Sequence, residues 1–323
     1  MTNVDTDYRI VVFSSGCVSL PLITYLHGSK QLAGVVVSDR AETDTNQLLL
    51  NLKHMNVATK KYIADNDESM AIFFQQVKAN IGFVFSFPHR ISSSIINQLG
   101  VALFNLHASA LPLYRGKSPI FWQIKNRVKS SAICLIALHG EDEQLWDSGP
   151  IVWQQPLPIN ERDTLMSLTT EVALLAPQLV QQFLQQLAAG RIEAKPQQSL
   201  SLLNTQVTAP APSAADLAVD WLSMTASEIC ALARAANPSL GGAGLRWRNT
   251  AIGLLQGTVV CHESYGVQPS TVLCVGEPEG LIVTTIDGAI RIDVVNLSEG
   301  VFSGLAFAER FGLGAGMAFC ESL

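Results

Sequence analysis

At 323 residues the chain is long enough for one large domain with a smaller companion, or for two of middling size, and its 48% hydrophobic and 15% charged content excludes a disordered protein. A net charge of −6 supplies no overall attraction to nucleic acid or to an anionic membrane. The six cysteines are scattered without a Cys-x-x-Cys pair, which argues against a zinc site or a disulfide framework, and no apolar run approaches the length of a membrane span. A cytoplasmic location, without membrane or metal, is therefore expected.

Arg9 to Phe13 is a short apolar run ended by Ser14-Ser15-Gly16, which reads as a first strand and its turn into a helix. That turn lacks Gly-x-Gly-x-x-Gly spacing, so it does not announce a dinucleotide site. Further strands are predicted over 32–37, 81–86, 101–106, 132–138 and 150–154. Helical patterns lie between them over 45–54, 69–78, 92–99 and 119–125. Alternation of strand and helix implies an α/β domain whose mainly parallel sheet is covered on both faces. A long helix is predicted from Glu161 to Ala189, with Asn160 as its cap, Gly190 at its end and Pro177 as a kink. Its Leu165, Leu168, Val172, Leu175, Leu179, Phe183 and Leu187 stripe is a packing face.

Composition shifts after Gly190 to Gln, Ser, Thr, Ala and Pro, as an extended linker would require. This divides the chain into domains at 1–190 and 216–323, joined by a linker over 191–215. Within the second domain a helix is predicted over 225–236, followed by short strands over 252–260, 271–275, 281–286 and 290–297. Short strands separated by Gly, Pro and Asp turns are what small barrels are built from.

Chemistry concentrates where the strand at 101–106 opens into loops, at Asn105-Leu106-His107-Ala108-Ser109 and, further on, at Asp147-Ser148-Gly149. Strand carboxyl ends are where open α/β sheets bind ligands. An amide N–H can stabilise an oxyanion, an imidazole can accept an amine's proton, and a carboxylate can orient the ring and support its charge, so the trio suits acyl transfer. An isolated Asn-x-His is more often a surface or core feature, and an Asp before a Gly turn is more often a turn carboxylate. Here the pattern continues through Leu111-Pro112, Tyr114-Arg115-Gly116 and Pro119. Ser109 has no Gly-x-Ser-x-Gly elbow around it, which speaks against a serine hydrolase.

These residues resemble the 10-formyltetrahydrofolate-dependent formyltransferase family, in the two-domain form of its methionyl-tRNA formyltransferases; glycinamide ribonucleotide and sugar-amine formyltransferases share the catalytic domain. The matching positions are Asn105, His107, Ser109, Leu111, Pro112, Tyr114, Arg115, Gly116, Pro119, Asp147 and Gly149. A looser match covers Asp220-Trp221, Arg234, Asn237-Pro238, Gly241-Gly242-Ala243, Gly300, Phe311 and Gly314. The resemblance implies the formyltransferase fold, a Rossmann-like mainly parallel sheet with a smaller C-terminal OB-like β-barrel domain. It implies 10-formyltetrahydrofolate as co-substrate and no metal. Catalysis would fall to Asn105, His107 and Asp147: Asn105 on the formyl oxygen, His107 as base or as charged stabiliser of the tetrahedral intermediate, and Asp147 orienting His107 and a water. Phe85, Ser86, Phe87, Pro88 and His89 would form the folate-binding loop, largely through backbone. Ser109, Leu111, Pro112, Tyr114, Arg115 and Gly116 would close the pocket. The alternative for the first of these loops is a plain strand-to-helix turn with Phe87 packed inside.

Two stretches depart from the family. Where its tRNA-formylating members carry a basic loop, this chain reads Ser38-Asp39-Arg40-Ala41-Glu42-Thr43-Asp44-Thr45, and its linker offers only Arg191 and Lys195. Nucleic-acid affinity rests on phosphate neutralisation, so the expected acceptor is a primary amine of a small molecule, amino acid or amino sugar, or a carrier-bound aminoacyl group, rather than tRNA. Methionyl-tRNA formylation is the alternative, formate-releasing hydrolysis of the same donor another, and an inactive folate- or partner-binding relative a reading of a different class. The loop at 139–146 is lengthened and acidic, through Glu141, Asp142 and Glu143. It is either a solvated surface loop or a lid that selects a cationic acceptor.

Overall fold

In the computed structural model, which describes residues 7–40, 43–63, 67–138, 146–197 and 208–319, the chain divides into two compact units. One holds the residues up to Pro119 with Ser130–Pro158 and Thr169–Thr208; the other holds Ile120–Lys129, Ile159–Leu168 and the chain from Ala209.

In chain order the elements of the first half are β1 (Ile10–Phe13), α1 (Leu20–Gly28), β2 (Leu32–Ser38), α2 (Thr43–His54), β3 (Thr59–Tyr62), α3 (Asp67–Gln76), β4 (Ile81–Val84), α4 (Ser93–Leu99), β5 (Ala102–His107), α5 (Pro119–Lys125), β6 (Ser130–Ala137), β7 (Ile151–Pro158) and α6 (Leu165–Ala188). The seven strands form one sheet in the order β3-β2-β1-β4-β5-β6-β7. Pairing is parallel from β3 to β5 and antiparallel from β5 through β6 to β7, so the sheet is mainly parallel and Rossmann-like. The order reverses between β1 and β4, the switch point beside which open α/β sheets bind ligands at their strand carboxyl ends.

Strand alternation explains how both faces are covered. Phe83 of β4 and Phe104 of β5 turn to one face, where Phe183 of α6 lies 6.1 and 4.8 Å from them between ring centroids. Val84 and Leu103 turn to the other and pack with Ile95 of α4 and Phe73 and Phe74 of α3. Burying each such side chain contributes about 1.5–3 kcal/mol. By the same alternation Asn105 and His107 share the face of Leu103.

The edge strand β3 was not predicted. Its sequence, Thr59-Lys60-Lys61-Tyr62, pairs on one side only and buries only Tyr62, so it carries no apolar signature. The long helix begins later than predicted because the cap is Thr164, not Asn160. Thr164 Oγ1 accepts from the Ser167 N–H at 3.1 Å and Ser167 Oγ accepts from the Thr164 N–H at 2.9 Å.

The second unit contains α7 (Ala214–Leu217), α8 (Ala226–Ala236), β8 (Ala243–Trp247), β9 (Thr250–Val260), β10 (Val272–Gly276), β11 (Gly280–Thr285), β12 (Gly288–Leu297), β13 (Gly300–Ser303) and α9 (Gly304–Phe311). Its strands form a separate antiparallel sheet in the order β10-β11-β12-β9-β8, with β13 also paired to β12. A capping box between Thr225 and Glu228 starts α8. Lys125, Arg127 and Arg234 explain why 120–129 and 159–168 belong here. Lys125 Nζ donates to the Asp216 carbonyl at 2.7 Å, Arg127 to Ser227 and Glu228, and Arg234 to the Asp163 carbonyl at 2.9 Å. No helix among the described residues is long and apolar enough to cross a membrane.

Candidate active site

Asn105 and His107 sit two residues apart at the end of β5, so both side chains leave the same face of the sheet. Parallel pairing to β4 and antiparallel pairing to β6 hold this end on both sides, through Val84 opposite Asn105 and Cys134 opposite His107. The connection between β6 and β7 returns Asp147 to them. Asn105 Nδ2 donates to Asp147 Oδ1 at 2.9 Å across 42 positions of sequence. His107 Nδ1 lies 3.5 Å from Asp147 Oδ2, with the two side chains 6% and 10% exposed, so this pair is sheltered from solvent screening. Asp147 Oδ2 also accepts the Gly116 N–H at 2.9 Å.

His107 Nε2 is 2.9 Å from the Tyr114 carbonyl oxygen. A carbonyl only accepts, so Nε2 carries a hydrogen and Nδ1 is the nitrogen that meets the carboxylate. Asn105 Nδ2 has two hydrogens and spends one on Asp147, leaving the other for a ligand oxygen. The trio therefore offers an amide donor and a carboxylate-supported ring at one spot, which is an oxyanion-stabilising arrangement.

The segment 109–116 is the platform under His107. Ser109 is fully buried and donates through Oγ to the Leu113 carbonyl at 2.8 Å, so its hydroxyl shapes the loop. Leu111 packs with Ala132, Cys134 and Ile136. Leu111–Pro112 is a cis peptide, and Tyr114 takes φ +58°. Arg115 donates to Gln197 Oε1 from Nε at 2.9 Å and Nη2 at 2.6 Å. Gln197, which the sequence assigns to a linker, also donates to the carbonyls of Asp147 at 2.8 Å and Gly149 at 2.7 Å. No local pattern in a Gln- and Ser-rich stretch signals this.

The loop 85–89 follows the carboxyl end of β4, beside the switch point. Its side chains mostly build structure. Phe85 is buried, and Phe87 packs on Phe13 and Tyr62 at 5.6 and 5.3 Å between centroids. The Ser86 carbonyl accepts the Ser15 N–H at 3.0 Å, with Ser86 at φ +55°. His89 Nε2 meets Ser38 Oγ at 2.6 Å and Asp39 Oδ1 at 3.2 Å. Burial pushes the His89 ring below its ordinary titration range, against the opposing pull of Asp39.

At the turn after β1 the Cys17 N–H donates to the Asp44 carboxylate at 3.1 Å, so the position where a phosphate would sit is taken by an internal anion. Burial and Asp44 together raise the Cys17 thiol to about 11. Of the lengthened acidic loop, residues 139–145 lie outside those described. Trp146 is exposed, with Lys117 Nζ 5.7 Å from its ring centroid. Among the described residues no group of three or more His, Cys, Asp or Glu side chains is placed to hold a metal.

Residues 8–184 match the family described as Formyl transferase, and residues 213–310 match Formyl transferase, C-terminal domain. Methionyl-tRNA formyltransferase of Roseiflexus castenholzii is 27% identical over 219 residues, 68% of this chain and 66% of that protein. Methionyl-tRNA formyltransferase of Pelotomaculum thermopropionicum is 26% identical over 243 residues, 75% of this chain and 74% of that protein. Solved structures that share the fold include the two that follow. HypX from Aquifex aeolicus in complex with tetrahydrofolic acid superposes with a TM-score of 0.63 at 15% identity, over 98% of this chain and 51% of that one. The sugar 3N-formyl transferase WlaRD, solved with dTDP and 5-N-formyl-THF, does so with a TM-score of 0.63 at 18% identity, over 88% of this chain and 96% of that one. The family match alone covers more than half of the sequence, across both units, and on it the chain belongs to the formyl transferase family.

Proposed function

We propose that this chain transfers a formyl group from 10-formyltetrahydrofolate to a primary amine of a small molecule, an amino acid or an amino sugar. The observation that carries the reading is the meeting of Asn105, His107 and Asp147 in one hydrogen-bonded cluster at the carboxyl end of β5. The fold neighbours solved with tetrahydrofolic acid and 5-N-formyl-THF support a folate donor. Phe87 is packed inward on Phe13 and Tyr62, which supports the reading that the loop would meet a flat heterocycle through its main chain.

In this mechanism the amine nitrogen attacks the formyl carbon. The second N–H of Asn105 and the His107 ring stabilise the oxygen as it becomes negative. Asp147 holds the ring, supports its charge and orders a water that carries away the amine's proton. As the carbon–N10 bond of the folate breaks, N10 takes up a proton, leaving tetrahydrofolate and the formamide. Nε2 is engaged by the Tyr114 carbonyl and Nδ1 faces Asp147, so neither ring nitrogen is turned toward an attacking amine, which favours a stabilising role for His107 over that of direct base.

A second reading, with initiator methionyl-tRNA as acceptor, is favoured by the names of the two relatives. The net charge of −6 and the acidic segment at Asp39 and Asp44 weigh against it. The discriminating experiment incubates the protein with 10-formyltetrahydrofolate and separate pools of amines, amino acids, amino sugars and charged initiator tRNA, following tetrahydrofolate release. Turnover with a small-amine pool is expected. Turnover with tRNA alone overturns the acceptor assignment, formate release without any amine makes the protein a hydrolase, and no turnover at all removes the transferase reading.

A further inference from the structure

Gln197 stands just beyond α6, in the stretch that composition marks as a connector, yet its side-chain amide is saturated by the site. Both N–H groups are given to carbonyls, of Asp147 and Gly149, and Oε1 takes two hydrogens from the Arg115 guanidinium. That accounts for every donor and both lone pairs of the amide. The segment is brought there by Lys195, whose N–H and carbonyl pair with those of Ile151 at 2.9 and 2.8 Å, beside the start of β7.

The groups that Gln197 grips are those that set the catalytic carboxylate. Asp147 takes φ +53°, in the left-handed region that non-glycine residues adopt uncommonly. The two carbonyls bound by Nε2 lie on either side of Ser148, so they fix both ends of that turn. Arg115, held by Oε1, sits between Tyr114, whose carbonyl holds His107, and Gly116, whose N–H holds Asp147. One amide thus links the two loops whose separation sets the distance from Asp147 to His107.

We propose that Gln197 is a positioning residue for the Asn105–His107–Asp147 cluster, acting through the Asp147 turn and Arg115 without touching the reacting atoms. Its kinetic consequence rests on the formyl-transfer reading; its geometric consequence does not.

The variants Gln197→Glu and Gln197→Met separate the two sides of the amide. Glutamate keeps an acceptor for Arg115 but sets a carboxylate oxygen against two carbonyls, and methionine keeps the length without either function. In both, kcat for amine-dependent tetrahydrofolate release is expected to fall about 10- to 100-fold, as small misplacements of catalytic groups do, with KM for the donor little changed. A second readout needs no turnover. The ring ¹⁵N resonances of His107, assigned by their absence in His107→Asn, are expected to move in both variants of the ligand-free protein. Wild-type kcat and unmoved resonances, or a lowered melting temperature with kcat per folded molecule intact, overturn the proposal. If the wild-type protein transfers no formyl group while the resonances move, the positioning role stands and the formyl-transfer reading falls.

Discussion

Asn105 gives one amide hydrogen to Asp147, and in the proposed mechanism the other meets the formyl oxygen. Asn105→Ala removes both, and kcat is expected to fall by about 10²- to 10³-fold, the usual cost of one oxyanion donor, with KM for the donor moving less. Steady-state kinetics at saturating acceptor check this, and a variant within a few-fold of wild type would take Asn105 out of the mechanism. His89 gives a pH test. Its folded-state titration is lowered, chiefly by burial, so the unfolded chain binds the extra proton more readily. Its contribution to stability is therefore complete above about pH 6.5, the unperturbed value, and is lost as pH falls through and below it. His89→Gln should flatten the decline in melting temperature over that window; an unchanged slope would assign the decline elsewhere. At this scale the sequence reveals side chains whose chemistry is local, and Asn105, His107 and Asp147 are legible from their pattern. It does not reveal the Tyr114 carbonyl or Gln197, because a backbone oxygen has no sequence signature and an amide in a polar stretch acquires its partners only when the chain returns to β7.

Among the strands of the first sheet, those with an apolar signature are found and the one without it is not; in the second unit β13 and the helix α9 also go unpredicted. β1, β2, β4, β5 and β6 are buried runs, and their bounds lie within a few residues of expectation. β3 is a polar edge strand, and β8 opens on the Gly-rich segment that reads as a turn. The start of α6 was displaced by a competing cap, since Asn160 and Thr164 both have the right chemistry and only Thr164 forms the reciprocal bonds with Ser167. The connection carrying Asp147 depends on a close approach. A Cβ on Gly149 would lie 2.0 Å from the Ala137 carbonyl oxygen, which belongs to the backbone of β6 and has no room to yield. Gly149→Ala should push that connection off β6 and displace Asp147, lowering both the melting temperature and kcat. A loss of about 100-fold in kcat corresponds to a misplacement of roughly 1 Å. Wild-type kcat in a folded Gly149→Ala protein would show that the turn tolerates displacement.

For the whole molecule, composition and hydrophobic periodicity are enough to anticipate a mainly parallel sheet followed by a second unit of short strands, whose antiparallel order the structure supplies. They do not foresee that 120–129 and 159–168 join the second unit, because the ties responsible, Arg127 to Glu228 and Arg234 to Asp163, span 101 and 71 positions. Charge is the property that most bears on the acceptor. A chain of net charge −6 with an acidic segment after β2 offers little phosphate neutralisation, which is why a small amine is the proposed substrate. The measurement that tests the account most directly compares amine-dependent release of tetrahydrofolate from 10-formyltetrahydrofolate by the wild-type protein and by His107→Asn. The account predicts turnover by the wild type only when an amine acceptor is present, and a loss of about 10²- to 10³-fold in the variant, the range for removing one stabiliser of a developing oxyanion. Equal turnover by the two proteins, or release that ignores the amine, would contradict it.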